Sequence, residues 1–166
     1  MTLTTKLNFR LNTDLSNALD LVTPKATQGY SYLLELASGA GLNQANVIWS
    51  DKRTVNASTT DTLDIATGGG LVDALGTAVA MARMKGLVVR NKGAQNITVG
   101  RPAANGVPWL AAAGDSNIVV AGGLMALFWP TAAGIVVTAA TGDLIEIVNG
   151  AGASVDYDIV IIGASS

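Results

Sequence analysis

Apolar and polar side chains alternate along the first residues of the chain. One parity carries threonine, lysine, asparagine and arginine, and the other carries Leu3, Leu7, Phe9 and Leu11. A period of two is typical of a strand with one buried face. Because an apolar strip of this kind must be covered, we expect an extended N-terminal arm over residues 2–12. An ordinary core strand is the alternative interpretation. The side chains predicted to contact a partner subunit are Leu3, Leu7, Phe9, Arg10 and Leu11.

A short helical segment is predicted next, over residues 13–22. Thr13 or Asp14 would cap its N-terminus, and Pro24 would prevent the chain from continuing as a helix. A second short helix is expected at residues 71–76, after a run of three glycines. Helix is expected nowhere else in the chain.

Short apolar runs separated by turn-forming residues dominate the chain beyond residue 80. The runs cover residues 84–89, 97–99, 118–121, 124–129, 135–138, 144–148 and 155–162. Strands with this spacing are typical of a sandwich, a jelly roll or a barrel, whereas helices would need longer runs with fewer glycines. We predict an all-β fold in which residues 25–166 form a single, jelly-roll-like β-sandwich domain. Residues 1–24 precede it as an arm or strand with the short helix.

The last apolar run is predicted to be a central strand of this sandwich. Val155, Tyr157, Ile159 and Ile161 share one face, and Val160 with Ile162 makes the far end apolar on the other face as well. Strands that are apolar on both faces are buried on both faces. The alternative is an exposed strand donated to a neighbouring subunit.

The chain has few charged residues to make its surface soluble. Charged residues make up 13% of the 166 residues and hydrophobic residues 49%, whereas an average globular chain has about 25% charged residues. A lone chain of this composition would expose much uncharged surface. We therefore expect copies of the chain or a partner to cover a good part of it.

Neither a membrane nor a nucleic acid is indicated as a partner. The chain has no apolar run of about 18 residues or more, and its first residues lack the features of a signal peptide. The ten Lys and Arg residues are scattered, end at Arg101 and do not interleave with aromatic side chains, as a nucleic-acid surface would require. The chain has no cysteine, which fits synthesis in a reducing cytoplasm.

Most enzyme mechanisms are excluded because the chain contains no histidine and no cysteine. Three weaker candidates remain. A cation or acid–base site could form from Asp61 with Asp64 or from Asp156 with Asp158, and a phosphate cradle could form at Gly68 to Gly70. A stacking platform could be built from Trp109, Trp129, Tyr30 and Tyr32. We prefer a structural interpretation for each, as solvated carboxylates, a flexible turn, and core or interface aromatics. We expect no catalytic residue, metal or cofactor, and we assign Trp109 to an intersubunit contact.

Five segments, in their order along the chain, resemble a recurrent small structural protein of tailed bacteriophages. They are NQANVIWSD at 43–51, TLDI at 62–65, VDALG at 72–76, RMKGLVVRN at 83–91 and TGDLIEI at 141–147. The resemblance covers residues 40–163, and the order of the segments is more specific than any one of them.

This resemblance implies a capsid decoration, or cement, protein. Such proteins lie on the capsid exterior as homotrimers and tie neighbouring subunits of the major capsid protein together. They are often jelly rolls or similar sandwiches and have no catalytic residues. Two alternatives remain open: a receptor-binding subunit of a tail or head fibre, and a carbohydrate-active enzyme that uses paired carboxylates.

Overall fold

The computed structural model describes residues 2–66 and 68–166, and all regular secondary structure in these two ranges is β. This confirms the all-β prediction. No helix long and apolar enough to cross a bilayer occurs in the described ranges. The strands are β1 (Thr5–Ser16), β2 (Lys25–Ser38), β3 (Gln44–Ala45), β4 (Val47–Val55), β5 (Thr60–Asp64), β6 (Arg83–Asn91), β7 (Ile97–Gly100), β8 (Ser116–Val119), β9 (Leu124–Phe128), β10 (Ile135–Val136), β11 (Leu144–Asn149) and β12 (Val155–Ala164).

Strands β4 to β12 form two sheets, which together we call the body. In the first sheet β12 lies between β4 and β6, and both β9 and β10 pair with the opposite edge of β6. The second sheet has the order β5-β11-β7-β8. All of these ladders are antiparallel.

The main core lies between these two sheets. Alternation along the strands sends every second side chain inward; in β11, for example, Ile145 and Ile147 are buried. Both sheets contribute to the same cluster, which includes Trp49, Val55, Leu63, Leu87, Val89, Ile97, Val99, Val119, Ile145, Ile147, Tyr157 and Ile159. The body is therefore sandwich-like, with the apolar faces of its sheets turned towards each other.

Strand β12 is central and buried, as its pattern predicts. It pairs with β4 on one side and with β6 on the other. Val155, Tyr157, Ile159 and Ile161 are at most 1% exposed, and Ile162 is buried on the opposite face.

Strands β1 and β2 form a long antiparallel hairpin, which we call the arm. Its ladder runs through twelve residue pairs, from Thr5 with Leu36 to Ser16 with Lys25. At its base, β2 continues into a short parallel pairing with β3. The boundary expected after residue 24 falls at the tip of this hairpin, so the arm contains β2 as well as β1.

The prediction of an N-terminal helix is wrong. Residues 13–16 belong to β1, where Thr13 pairs with Gln28 and Asp14 with Thr27, and residues 17–24 form the tip. The cross-strand partners in β2 supply backbone hydrogen bonds along the whole segment. These hydrogen bonds outweigh the weak helical propensity of a ten-residue segment.

The second expected helix, at residues 71–76, is also absent. This segment lies in the long connection between β5 and β6 and contains an isolated bridge between Val72 and Ala78. The Asp73 carboxylate accepts hydrogen bonds from the amides of Leu75 and Thr77, at 2.8 and 2.9 Å. Aspartate stabilises turns in this way and so competes with helix formation.

Candidate interaction surface on the arm

The arm has one apolar and one polar face, because directly opposite residues of a hairpin point to the same side. A 3.0 Å hydrogen bond from Leu19 N to Val22 O continues the ladder register into the tip. These two side chains therefore extend the face of Leu15 and Ala26. We call this surface the apolar face, and it comprises Leu7, Phe9, Leu11, Leu15, Leu19, Val22, Ala26, Tyr30, Tyr32 and Leu34.

The base of the apolar face is buried against the body. Leu34 and Leu36 form a second hydrophobic cluster with Ala45 and Ile162, separate from the main core. The partly buried side chains packed against this cluster are Leu3, Leu7, Phe128 and Val160. Because Ile162 points away from the main core, the arm is anchored on the outer face of the first sheet.

Beyond Leu7 the apolar face is exposed. Phe9 is 51% exposed, Leu11 50% and Tyr30 60%. The rings of Phe9 and Tyr30 contact each other edge to face, with centroids 6.2 Å apart. At the tip, Leu21 is 96% exposed. The apolar face therefore runs from the buried cluster into solvent, with the polar pair Thr13 and Gln28 between Leu11 and Leu15.

Two ion pairs form within the polar face. Lys6 Nζ lies 2.7 Å from Glu35 Oε1, and Lys25 Nζ lies 2.8 Å from Asp14 Oδ2. The hydrogen bonds from Lys25 and from the Thr27 hydroxyl lower the pKa of Asp14 below its usual value. The same face forms a shallow groove of about 440 Å³, lined by side chains that include Asn8, Arg10, Asn12 and Ser31.

The residues predicted to contact a partner separate into three environments. Leu3 and Leu7 lie at the anchored base, whereas Phe9 and Leu11 lie on the exposed part of the apolar face. Arg10 lies on the polar face, where its Nε donates to the Asn12 side chain. Trp109 is only 8% exposed and packs in the main core. Its indole therefore offers little surface for the intersubunit contact expected of it.

Seven of the ten residues of the apolar face lie outside the segment predicted as the arm. Tyr30 and Tyr32 belong to β2, and their shared parity with Leu34 and Leu36 is the signal that could have revealed them. Leu15 and Leu19 were assigned to the helix that is absent. Their spacing of four from Leu11 is equally compatible with one face of a strand.

A triad of polar side chains joins the two sheets of the body at one edge. Arg53 of β4 donates to Asp61 of β5 through Nε and Nη2, at 2.6 and 3.0 Å. The hydroxyl of Tyr157 in β12 donates to Asp61 Oδ2 at 2.6 Å. Burial would raise the pKa of Asp61, but the hydrogen bonds from Arg53 and Tyr157 and the Arg53 charge outweigh it and lower that pKa. Asp61 therefore acts as a charged structural link.

The other candidate carboxylates are also engaged in local contacts. Asp64 accepts a hydrogen bond from the amide of Ala66 at 3.0 Å. Asp156 accepts one from the Thr54 hydroxyl at 2.7 Å, and Asp158 pairs with Lys92 at 3.2 Å. Within the two described ranges, no group of three or more potential ligands could hold a metal ion.

Lys85 fixes the loops at the base of the arm. Its side chain is fully buried, and its Nζ donates to the carbonyl oxygens of Gly41 at 3.4 Å and Ala132 at 2.8 Å, and also to that of Thr131. Gly41 follows the arm, and the other two carbonyls belong to the β9–β10 loop. The ammonium group therefore ties the connection after the arm to the body.

Comparison with protein-family models, with curated proteins and with solved structures found no match. The apolar face of the arm is the largest exposed apolar surface described above.

Proposed function

We propose that this chain is a non-enzymatic structural protein of a tailed-phage virion, a capsid decoration protein. It is made in the cytoplasm of the bacterial host, binds the lattice of the major capsid protein on the capsid exterior as a homotrimer, and stabilises that lattice. The observation that carries the proposal is the exposed apolar face of the arm, which suits a chain that works within an assembly.

The size of this surface supports an assembly role. Seven large side chains beyond the base are exposed by about half or more; at roughly 200 Å² for each fully exposed side chain, they present roughly 800 Å². The four next to the base are contiguous and present roughly 400 Å² of this, which is the size of the largest apolar patch on a typical monomer, a patch that is often functional. The seven side chains are Phe9, Leu11, Leu15, Leu19, Val22, Tyr30 and Tyr32.

Strand pairing in the body supports a jelly roll as the finer description of the fold. Leaving aside the two-residue β10, the ladders pair β4 with β12, β5 with β11, β6 with β9 and β7 with β8. The first strand of the body thus pairs with the last, the second with the last but one, and so on inwards. An antiparallel ribbon wound in this way into two four-stranded sheets is a jelly roll, the architecture of many capsid proteins.

The side-chain inventory supports a role without catalysis. The chain has neither histidine nor cysteine, and Asp61, the candidate carboxylate that joins the two sheets, is held by Arg53 and Tyr157. A carboxylate already bonded to a guanidinium and a phenol is poorly placed to exchange protons with a substrate.

A tail or head-fibre subunit is the second candidate. The polar groove on the arm favours it, because amide, hydroxyl and guanidinium groups converge there on one exposed surface, with Asn8, Arg10, Asn12 and Ser31. Such groups could bind a polar receptor. A decoration protein and a fibre subunit differ in where they bind on the particle.

Rebinding to particles that lack the chain tests the proposal. Capsids of the encoding phage, prepared from a deletion mutant, are mixed with the purified full chain, sedimented, and heated to measure DNA release. We expect the chain to co-sediment with capsids and to raise their temperature of DNA release. Failure to bind capsids, or binding to tails alone, would refute the decoration role.

A shortened arm provides the matched variant. Leu7 and Leu34 are cross-strand partners, so residues 8–33 can be replaced by Asn-Gly, a dipeptide that favours tight hairpin turns. This variant keeps the buried cluster and loses the exposed part of the apolar face. We expect it to fold and to bind capsids much more weakly than the full chain.

A further inference from the structure

The exposed apolar face is expected to bind another surface, and the charges of the arm indicate which kind of surface that is. In residues 2–38, three cationic side chains balance three anionic ones, and two opposite pairs close within the arm. No charged residue lies on the apolar face itself. An uncharged surface can meet an identical surface without like-charge repulsion.

The area of the apolar face fits a stable contact between copies. The exposed part offers roughly 800 Å², which is about what each partner contributes to a standard protein–protein interface. It is also long and narrow, because a hairpin continuing from Leu7 to Leu19 extends roughly 40 Å at about 3.3 Å per residue. Two such faces can therefore lie against each other along their length.

The isolated arm lacks the support that a hairpin of this length needs. A two-stranded hairpin is marginally stable in water unless a third layer packs on it. The body provides that layer only at the base, through the cluster around Leu34, Leu36 and Ile162. Beyond Leu7 no part of the described chain buries the aromatic pair Phe9 and Tyr30.

We infer that the arm is the self-association interface of this protein: the apolar face of one copy packs against the apolar face of a second copy. The contact is isologous, the same surface being used by both partners. Paired arms would form a two-layered β structure with Phe9, Leu11, Tyr30 and Tyr32 in its interior and the ion-paired polar faces outside. Because an isologous contact joins copies in pairs, it is distinct from the contact that would hold the proposed homotrimer together, and the inference does not rest on the proposed function.

Sedimentation equilibrium of the full chain tests whether it self-associates through this face. We expect the wild-type chain to form an oligomer, and Leu11→Lys to raise its dissociation constant at least about tenfold, the equivalent of about 1.4 kcal/mol. The matched control is Asn12→Lys, which places the same charge one residue along on the polar face. It should leave the dissociation constant within about twofold. A monomeric wild-type chain would overturn the inference, as would an oligomer that Leu11→Lys does not weaken.

Site-directed cross-linking gives a second readout that does not depend on destabilising the contact. The chain contains no cysteine, so each single-cysteine variant carries one thiol. A short bis-maleimide should cross-link copies carrying Leu11→Cys or Tyr30→Cys, and not copies carrying Asn12→Cys or Ser31→Cys. Equal cross-linking from the two faces would overturn the inference. Circular dichroism of each variant checks that the β structure is retained.

The inference and the proposed function can fail separately. A chain that is monomeric in solution but binds capsids through its arm would refute self-association and leave the decoration role standing. A chain that self-associates through the arm but does not bind capsids would refute the decoration role alone.

Discussion

Removal of the Asp61 carboxylate should weaken the body, because Asp61 links β4, β5 and β12. The Asp61→Asn substitution keeps the size of the side chain and removes its charge. It leaves Arg53, whose side chain is 31% exposed, with the Asp51 carboxylate, 3.2 Å from its Nη1, as its remaining ion-pair partner in the described residues. It also replaces the carboxylate that accepts the buried hydroxyl of Tyr157 with a neutral amide oxygen.

The expected loss is between the values for exposed and for buried ion pairs. Exposed pairs contribute about 0–1 kcal/mol, and removing one partner of a buried pair costs about 3–5 kcal/mol. The Asp61 and Arg53 side chains are 16% and 31% exposed. Because solvent screens such a pair partly, we expect a loss of about 2–3 kcal/mol in the free energy of unfolding. In a chain of this length, that lowers Tm by about 5–10 °C.

The difference between wild type and variant should depend on pH in a defined direction. The pKa of Asp61 is lowered in the folded chain, so its stabilising effect is present above the unfolded value of about 3.9. It is lost as the pH falls through the lower folded value. The stability difference should therefore be constant between about pH 5 and 7 and shrink below about pH 4.

Urea unfolding followed by tryptophan fluorescence at matched protein concentration measures this effect. Asp158→Asn is the control, because it breaks a more exposed pair with Lys92 and should cost less than about 1 kcal/mol. Equal losses from the two substitutions would refute the reasoning. So would a difference between wild type and Asp61→Asn that grows at acid pH.

Two further predictions concern the supports of the body and of the arm. Truncation after Asn149 removes β12 and exposes the facing edges of β4 and β6. We expect the truncated product to be insoluble. A soluble product with a cooperative thermal transition would show that the core lies elsewhere. Lys85→Met removes the ammonium donor from three partly buried carbonyl oxygens, of which that of Gly41 keeps the Gln44 amide as a donor. We expect a loss of about 1–3 kcal/mol and faster proteolysis in residues 130–134, and cleavage at the wild-type rate would contradict this role of Lys85.

The sequence pattern predicted the body better than the arm, for a physical reason. In β12, alternation and β-branched residues agree, and no helical spacing competes with them. In the arm, Leu11, Leu15 and Leu19 lie four residues apart, a spacing that puts them on one face of a helix and equally on one face of a strand. Only the pairing with β2, which is distant in sequence, decides between the two.

The environment of Trp109 was beyond local reasoning for a similar cause. Its neighbours Pro108 and Leu110, in an alanine- and glycine-rich stretch, suggest an exposed loop. The loop instead packs against the body, where Val107 is fully buried and Trp109 almost so. Burial of a loop residue depends on contacts that no short segment specifies.

The copy number of the chain in purified particles tests the central claim most directly. Quantitative mass spectrometry with isotope-labelled peptides gives the ratio of this chain to the major capsid protein in virions of the encoding phage. A decoration protein should occur at a copy number of the same order as the major capsid protein. A copy number far below that, or absence of the chain from the virion, would contradict the account.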